Sequence, residues 1–308
     1  MEIIRGIDNL RPQHVGSVVT IGNFDGVHRG HQVILTELKA AGERLGLPDT
    51  VMIFEPQPQE FFLKEQAPAR LMNWRDKVEA LAAAGVARVL CLRFDDKFRR
   101  FSARQFVQRL LVEGLGCRHL VIGDDFRFGC DRSGDFALLQ AAGAEGGFEV
   151  RGTTTVMQAG ERVSSTRIRA AIKTGDFRLA ETLLGRPYEV SGHVSHGDKI
   201  GRTLGVPTAN IPLRRLHSPL AGVYIVTVTG AAEKMVYGVT SVGRRPTMNG
   251  VDERIETYLL DFDDDIYGRR IHVRFCHKLR EELKFSSLDE LKAAMAKDIA
   301  DTRDYFGI

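Results

Sequence analysis

Apolar residues in the first half of the chain show two spacing patterns that alternate along the sequence. Short apolar runs at residues 15–21, 50–54, 87–94 and 119–123 predict buried strands. Between these runs, apolar residues recur three and four positions apart, which predicts helices. The alternation of strand and helix predicts an α/β fold with a parallel sheet and right-handed crossover connections.

The pattern changes near residue 185, where short segments of alternating apolar and polar residues begin, separated by Gly and Pro turns. These segments lie at residues 188–194, 222–229, 234–242, 254–261 and 270–275. They predict a small antiparallel β-barrel or sandwich, closed by a helix near residues 287–303. We therefore predict two domains, residues 1–184 and residues 185–308.

Composition narrows the class of protein. The chain has 308 residues, of which 43% are hydrophobic and 27% charged, as in an ordinary soluble protein of two domains. Its four cysteines form no Cys-x-x-Cys pair, which argues against a zinc site or a disulfide framework and fits a reduced cytoplasm. A net charge of +3 is too balanced to indicate nucleic-acid binding, and we expect neither a signal peptide nor a membrane span.

A glycine-rich turn joins the first apolar run to the first helical pattern. Residues 20–31 read Thr-Ile-Gly-Asn-Phe-Asp-Gly-Val-His-Arg-Gly-His. The start of a helix offers unpaired N–H groups and a positive dipole end to phosphate. His28 and His31 are three apart and can converge on one anion, and Gly30 leaves room for it. The alternative is an ordinary turn whose histidines only cap the helix.

Hydroxyl and guanidinium groups are concentrated at residues 164–169, which read Ser-Ser-Thr-Arg-Ile-Arg. The run predicts a helix N-terminus at which hydroxyls, N–H groups and arginines could bind phosphate. A plain helix cap would explain the Ser-Ser-Thr by itself. The presence of both motifs in one domain is what favours a phosphate site.

Together, Gly-x-Phe-Asp-Gly-x-His-x-Gly-His and Ser-Ser-Thr-x-x-Arg resemble the signatures of the nucleotidylyltransferase superfamily. The form is most similar to the adenylyltransferase module of the prokaryotic bifunctional riboflavin kinase/FAD synthetases. The resemblance implies a Rossmann-like N-terminal domain in which His28 and His31 are catalytic. It implies ATP or phosphate binding by Gly22, Phe24, Asp25, Gly30, Asp125, Ser164, Ser165, Thr166, Arg167 and Arg169.

Two phenylalanines follow the ends of predicted strands. Phe62 ends the segment 55–62, which we predict to be a loop because its two prolines interrupt regular structure. Phe128 lies in the turn Gly-Asp-Asp-Phe-Arg-Phe-Gly at residues 123–129. From the residues alone, either ring could simply fill the core. The resemblance implies that both bind flavin.

In the second half, Pro207-Thr208-Ala209-Asn210 matches the riboflavin kinase signature. In an extended segment Thr208 and Asn210 point the same way, and their two neutral oxygens suit Mg²⁺. An ordinary proline turn is the alternative. The glycine loop at residues 197–203 has one residue fewer than a P-loop, but could still wrap ATP through Gly201 and Arg202.

Glu256 opens the run Glu-Thr-x-Leu-x-Asp-Phe, which is also similar to the family's pattern. A carboxylate on a strand can accept a proton from an alcohol, although an exposed edge-strand glutamate is the commoner case. The resemblance makes Glu256 the expected general base and Arg280 a flavin contact. Ser241 stands where the family more usually has Asn.

The resemblance covers nearly the whole chain and implies a two-step enzyme. Riboflavin would be phosphorylated to FMN in the C-terminal domain, and FMN adenylylated to FAD in the N-terminal domain, with ATP as co-substrate and Mg²⁺ as cofactor. We expect a cytoplasmic monomer or weak homo-oligomer that binds riboflavin, FMN, FAD and ATP, and neither nucleic acid nor membrane. The alternatives are a nucleotidylyltransferase for a pantetheine or alcohol phosphate, and a flavin- or RNA-binding barrel without turnover.

Overall fold

The structure is a computed structural model that describes residues 1–123, 125–197, 205–213, 217–247 and 250–308. It divides into two compact units. The first comprises Met1–Pro68 and Lys77–Ser164, and the second comprises Ala69–Asp76 and Ser165–Ile308. The predicted boundary between functional domains near residue 185 stays a prediction.

The first unit is built on a six-stranded parallel sheet. Its strands are β1 (Glu2–Arg5), β2 (Ser17–Ile21), β3 (Asp49–Glu55), β4 (Arg88–Arg93), β5 (Cys117–Gly123) and β6 (Glu149–Thr153), in the order β1-β4-β3-β2-β5-β6. Neighbouring strands pair in parallel throughout, for example Val19 with Thr50. Every residue of the central strand β2 is buried, as expected when elements cover both faces. The predicted parallel sheet is confirmed.

Helices connect these strands. They are α1 (Arg29–Leu45), α2 (Pro58–Leu63), α3 (Trp74–Ala83), α4 (Ala103–Phe106, continuing as a π-helix over Val107–Gly114) and α5 (Phe136–Gly146), and a short hairpin follows, β7 (Met157–Gln158) and β8 (Glu161–Arg162). Helix α1 buries Leu35, Leu38 and Ala41, which lie three apart on one face. Helix α4 begins with a capping box at Ser102, whose hydroxyl accepts from the Gln105 N–H at 3.2 Å.

Two local predictions are wrong or incomplete. The proline-containing segment 55–62 is not all loop, because α2 begins at Pro58. Proline is tolerated at the first helical position, where its missing N–H would have no partner within the helix. Strand β1 was not predicted, because its four residues carry two charges and only Ile4 is buried.

The second unit is an antiparallel barrel preceded by two helices. Its elements are α6 (Ser165–Thr174), α7 (Phe177–Leu184), β9 (Glu189–His193), β10 (Thr208–Pro212), β11 (Gly222–Thr229), β12 (Val236–Thr247), β13 (Gly250–Leu259), β14 (Arg270–Arg280) and α8 (Leu288–Phe306). The strands pair in the order β10-β13-β12-β11-β14-β9. Ser195, just after β9, donates its N–H to the Asn210 carbonyl oxygen at 2.8 Å and so brings the two edges together. The predicted barrel and its closing helix are confirmed.

Candidate active sites

The turn between β2 and α1 has an unusual backbone. Phe24 and Val27 have φ angles of 47° and 40°, and Gly26 has a φ of 85°. Left-handed backbone is unfavourable for residues other than glycine, and residues in this conformation tend to cluster at functional sites. The turn folds tightly enough that a Cβ on Gly22 would lie 3.2 Å from the Phe24 ring. The segment that resembles a phosphate-binding motif is therefore a strained, compact turn.

The two histidines of this turn lie together at the start of α1. His28 is the N-cap, and its Nδ1 accepts the His31 N–H at 3.3 Å. The two rings stack with centroids 3.7 Å apart and planes inclined by 16°. A neutral His28 that accepts at Nδ1 carries its proton on Nε2. His28 can therefore offer a ring N–H to an anion at the N-terminus of α1, where the helix dipole also favours negative charge.

Close neighbours explain why residue 30 is a glycine. A Cβ at this position would lie 3.1 Å from His28 Cε1, 3.2 Å from His28 Nδ1 and 3.7 Å from the Val163 carbonyl oxygen. The space that a side chain at residue 30 would need thus lies next to the His28 ring. Gly30 makes room for this ring, and not only for a ligand. The main chain at Val163 passes close to this turn, and Ser164, the first residue of the second motif, follows it directly.

The other predicted residues of the first unit lie in different environments. Asp25 is buried. Asp125 is exposed and forms an ion pair with Arg162, with Oδ2 and Nη2 2.7 Å apart. An anion that reaches Asp125 would therefore find Arg162 beside it. The role of Asp125 in ATP binding stays a prediction.

The two predicted flavin-binding phenylalanines differ in exposure. Phe62 is 58% exposed and contacts the Phe94 ring edge-on, with centroids 5.6 Å apart. Phe128 is 6% exposed and packs against Phe106 and Phe126 in the core, at 5.1 and 5.4 Å between centroids. Phe62 has surface available to a planar ligand, whereas most of the Phe128 ring belongs to the core. Neither role is tested by this geometry.

The remaining predicted phosphate ligands lie on helix α6 in the second unit. The helix begins at Ser165 and carries Thr166, Arg167 and Arg169 in its first two turns. Arg169 Nε donates to the Ala69 carbonyl oxygen, which ties α6 to the segment that precedes α3. The convergence of these residues with the histidine pair stays a prediction.

A row of side chains crosses the barrel sheet. The strand registers pair Asn210 with Glu256, Glu256 with Ser241, Ser241 with Val223, and Val223 with Arg280. Side chains directly opposite each other in a sheet share a face. The last step depends on a bulge in β14, because the register shifts between Tyr224 and Val223 and leaves Leu279 as the extra residue. Five strands thus contribute to one line of residues, from the predicted metal site to the predicted flavin contact.

This row borders a cavity of about 320 Å³. Four of its wall residues are Val223, Ser241, Glu256 and Arg280, and Thr208 joins them from β10. Most of the other lining residues are apolar, apart from two carboxylates and a phenol: Val206, Val239, Tyr258, Glu282, Leu283, Phe285, Leu291, Met295, Asp298 and Ile299. The volume lies at the lower end of ordinary ligand pockets. An apolar space with a few polar groups along one wall suits a planar ligand with a polar tail.

Helix α8 holds the arginine of this cavity in place. Asp298 is 5% exposed and accepts from Arg280 Nε at 2.9 Å and from Nη2 at 2.7 Å. The guanidinium also lies over the Phe285 ring, 5.8 Å from its centroid. The sequence analysis missed Asp298. A signal was present, since this carboxylate falls between Met295 and Ile299 on the apolar stripe of a predicted helix.

Thr208 and Asn210 have the chemistry expected of magnesium ligands. Asn210 Nδ2 donates to the Thr208 carbonyl oxygen at 3.1 Å, so Oδ1 is the side-chain atom that would bind an ion. A Cβ on Gly197 would lie 2.5 Å from this Oδ1, so the backbone at Gly197 lies against it. Within the described ranges, no group of three His, Cys, Asp or Glu side chains could hold a metal. Thr208 and Asn210 offer neutral side-chain oxygens, and Mg²⁺ completes such a ligand set with phosphate oxygens and water.

A second cavity, of about 310 Å³, is also bordered by Thr208. It is lined by Pro207, Thr257, Phe262, Tyr267 and the exposed acidic turn 263–265, among others. Thr208 borders both cavities. Two ligands could therefore meet at this residue. The predicted ATP ligands Gly201 and Arg202 lie outside the described residues.

Comparison with protein families defines the class of each half. Residues 10–167 match the family model described as FAD synthetase, and residues 184–306 match the one described as riboflavin kinase. The parallel-sheet half with its histidine turn is thus a nucleotidyltransferase module, and the barrel is a kinase module. In the part of the chain that the structure describes, no helix has the length and apolar character needed to cross a membrane.

Relatives that match the chain over its full length define its family. The chain is 51% identical to the bifunctional riboflavin kinase/FMN adenylyltransferase of Escherichia coli (strain K12), over 100% of the chain and 99% of the relative. It is 53% identical to that of Pseudomonas fluorescens, over 98% and 97%. A crystal structure from Streptococcus pneumoniae, titled as a macrolide-efflux protein, is similar with a TM-score of 0.80 and 31% identity, over 98% and 99%. The chain belongs to the bifunctional riboflavin kinase/FMN adenylyltransferase family.

Proposed function

We propose that this chain makes FAD from riboflavin in two ATP-dependent steps that use the residues described above. Its riboflavin kinase and FMN adenylyltransferase activities follow from its two family domains. The observation that carries the residue assignments is the row across the barrel, in which Asn210, Glu256 and Arg280 share one face. Strand register alone aligns the three residues.

In the kinase step, the riboflavin 5′-oxygen bonds to the γ-phosphorus of ATP and ADP leaves. Glu256 accepts the hydroxyl proton, since it borders the 320 Å³ cavity in which the flavin would lie. Arg280, held by Asp298, contacts the flavin. Mg²⁺ bound to Thr208 and Asn210 would offset the negative charge of the ATP phosphates. Thr208 borders both cavities, which supports flavin in one and ATP in the other.

In the adenylyl transfer step, an FMN phosphate oxygen bonds to the α-phosphorus of a second ATP and pyrophosphate leaves. His28 and His31 donate hydrogen bonds to the phosphate oxygens at the N-terminus of α1. Ser164, Arg169 and the neighbouring hydroxyls add donors, and Phe62 stacks on the flavin ring. Positioning and electrostatic stabilisation suffice, and the step needs no covalent intermediate with the enzyme.

We further propose that the enzyme works in the cytoplasm as a monomer or weak homo-oligomer. The four cysteines of the chain are free, which is usual for a reducing compartment. Its ligands are riboflavin, FMN, FAD and ATP, and the near-neutral charge gives no support to a nucleic-acid partner. Size-exclusion chromatography with light scattering would test the oligomeric state.

The decisive experiment incubates the purified chain with riboflavin, ATP and Mg²⁺ and separates the flavins by chromatography. We expect FMN to appear first and FAD to follow, with one ADP and one pyrophosphate released per FAD. Chelation of Mg²⁺ should stop the phosphorylation of riboflavin. If riboflavin stays unphosphorylated while supplied FMN is converted to FAD, the barrel is not acting as a kinase and the assignments in it are wrong.

A further inference from the structure

Lys77 is a charged side chain in the interior of the first unit. It lies on α3 and is 0% exposed, and its Nζ donates to the Asn23 carbonyl oxygen at 2.8 Å. Burial of an ammonium group is costly unless the group is well paired, so a lysine here requires a reason. Asn23 belongs to the strained turn that carries the histidine pair.

The hydrogen bond fixes the orientation of one peptide in this turn. In a trans peptide the carbonyl oxygen and the following N–H point to opposite sides. Lys77 therefore holds the Asn23 carbonyl towards α3 and directs the Phe24 N–H away from it. Phe24 itself has the left-handed φ of 47°, a conformation that needs support from its surroundings.

Contacts continue from this peptide to the histidines. The buried Phe24 ring lies 4.8 Å from the His31 ring, centroid to centroid, and His31 stacks on His28 at 3.7 Å. A change in the orientation of the Asn23–Phe24 peptide would move the Phe24 ring. The His31 ring would then lose its packing contact with Phe24. The contacts thus lead from Lys77 through one peptide and one ring to the imidazole pair.

We propose that Lys77 is a positioning residue of the adenylyl transfer site, which sets the peptide before Phe24 and thereby the stacked histidines. The inference rests on the proposed role of this turn in FAD formation. Lys77 is wholly buried, so it acts through Phe24 and touches no substrate itself. Misplacement of reacting groups by about 1 Å can lower a rate by about a hundredfold.

The test compares Lys77→Met, Lys77→Arg and the exposed control Lys97→Met. We expect Lys77→Met to lower kcat for FMN adenylylation by about a hundredfold, with a much smaller change in KM for ATP. Lys77→Arg keeps a charged donor and should recover at least a tenth of the wild-type kcat. Lys97→Met should match the wild type. Riboflavin phosphorylation should be unchanged in all three, because the kinase site lies in the other unit.

Rates are referred to the folded fraction, measured by circular dichroism in the same samples, so a loss of stability cannot imitate the effect. If Lys77→Met does not fold, Lys77→Gln takes its place and is judged by the same criterion as Lys77→Met, because its side chain is shorter and uncharged. A folded Lys77→Met variant with adenylylation within twofold of wild type would overturn the proposal. So would a parallel fall in both activities. Wild-type protein that forms no FAD would instead contradict the proposed function.

Discussion

The ion pair between Arg280 and Asp298 gives a prediction whose size can be worked out. Asp298→Asn keeps the shape of the side chain and removes its charge. Asparagine has one acceptor oxygen in place of two, and its amide nitrogen would face a guanidinium N–H. The change therefore removes one of the bonds at 2.9 and 2.7 Å and leaves the other between the charged guanidinium and a neutral acceptor.

A hydrogen bond to a charged group contributes about 1.5–3 kcal/mol, and a neutral one about 0.5–1.5 kcal/mol. Loss of a partner from a fully buried pair costs about 3–5 kcal/mol. The Arg280 side chain is 23% exposed, so water relieves part of this cost. We expect about 2–3 kcal/mol, which corresponds to a fall of about 5–10 °C in the melting temperature of the second unit.

Two measurements check this estimate. Thermal unfolding followed by circular dichroism gives the shift in melting temperature, and kinase assays give KM for riboflavin. A loosened Arg280 should raise KM by about tenfold, which corresponds to about 1.4 kcal/mol. The control is Asp301→Asn, which removes an exposed ion pair with Lys297 at 2.6 Å on the same helix. If both variants melt and bind riboflavin alike, Arg280 is not held by Asp298 in the way we describe.

Four further outcomes are expected. His28→Ala should abolish FAD formation and leave FMN formation largely intact, and equal loss of both would refute separate sites. Glu256→Gln should block FMN formation while supplied FMN is still adenylylated, and retained kinase turnover would exclude Glu256 as the base. Gly30→Ala places a Cβ 3.1 Å from the His28 ring and should lower adenylylation at least tenfold with kinase activity retained, which parallel assays would check. Burial raises the pKa of the Cys117 thiol to about 12, so iodoacetamide at pH 8 should alkylate the exposed Cys130 much faster, as peptide mass mapping would show.

The features that depend on neighbours in sequence could be predicted. Three-residue spacing at the start of a helix brings His28 and His31 together, and the structure stacks their rings. The capping box at Ser102 and the stop of α7 before Gly185 are local in the same way. In contrast, the two prolines of residues 55–62 led to the prediction of a loop, although α2 begins at Pro58. The position of a proline matters, because at the start of a helix it does not interrupt the helix.

Features that depend on contacts between residues far apart in the sequence were harder to predict. Glu256 and Arg280 are 24 positions apart and come together only because intervening strands set the register. Periodicity identifies the strands without telling which residues pair. Lys77 and Asp298 were missed because each is a buried charged residue whose partner, Asn23 or Arg280, is distant in sequence and is revealed by no local pattern. Family resemblance supplied Glu256 and Arg280, but it carried no information about what supports them.

The bulge in β14 has a consequence for anyone who redesigns this barrel. With regular pairing, Leu279 would stand opposite Val223 and the guanidinium of Arg280 would turn to the other side of the sheet. A strand without the extra residue Leu279 could fold as well or better, yet it would place a hydrocarbon side chain where the cavity now has the Arg280 cation. Stabilising designs for this protein should therefore leave the bulge at Leu279 untouched.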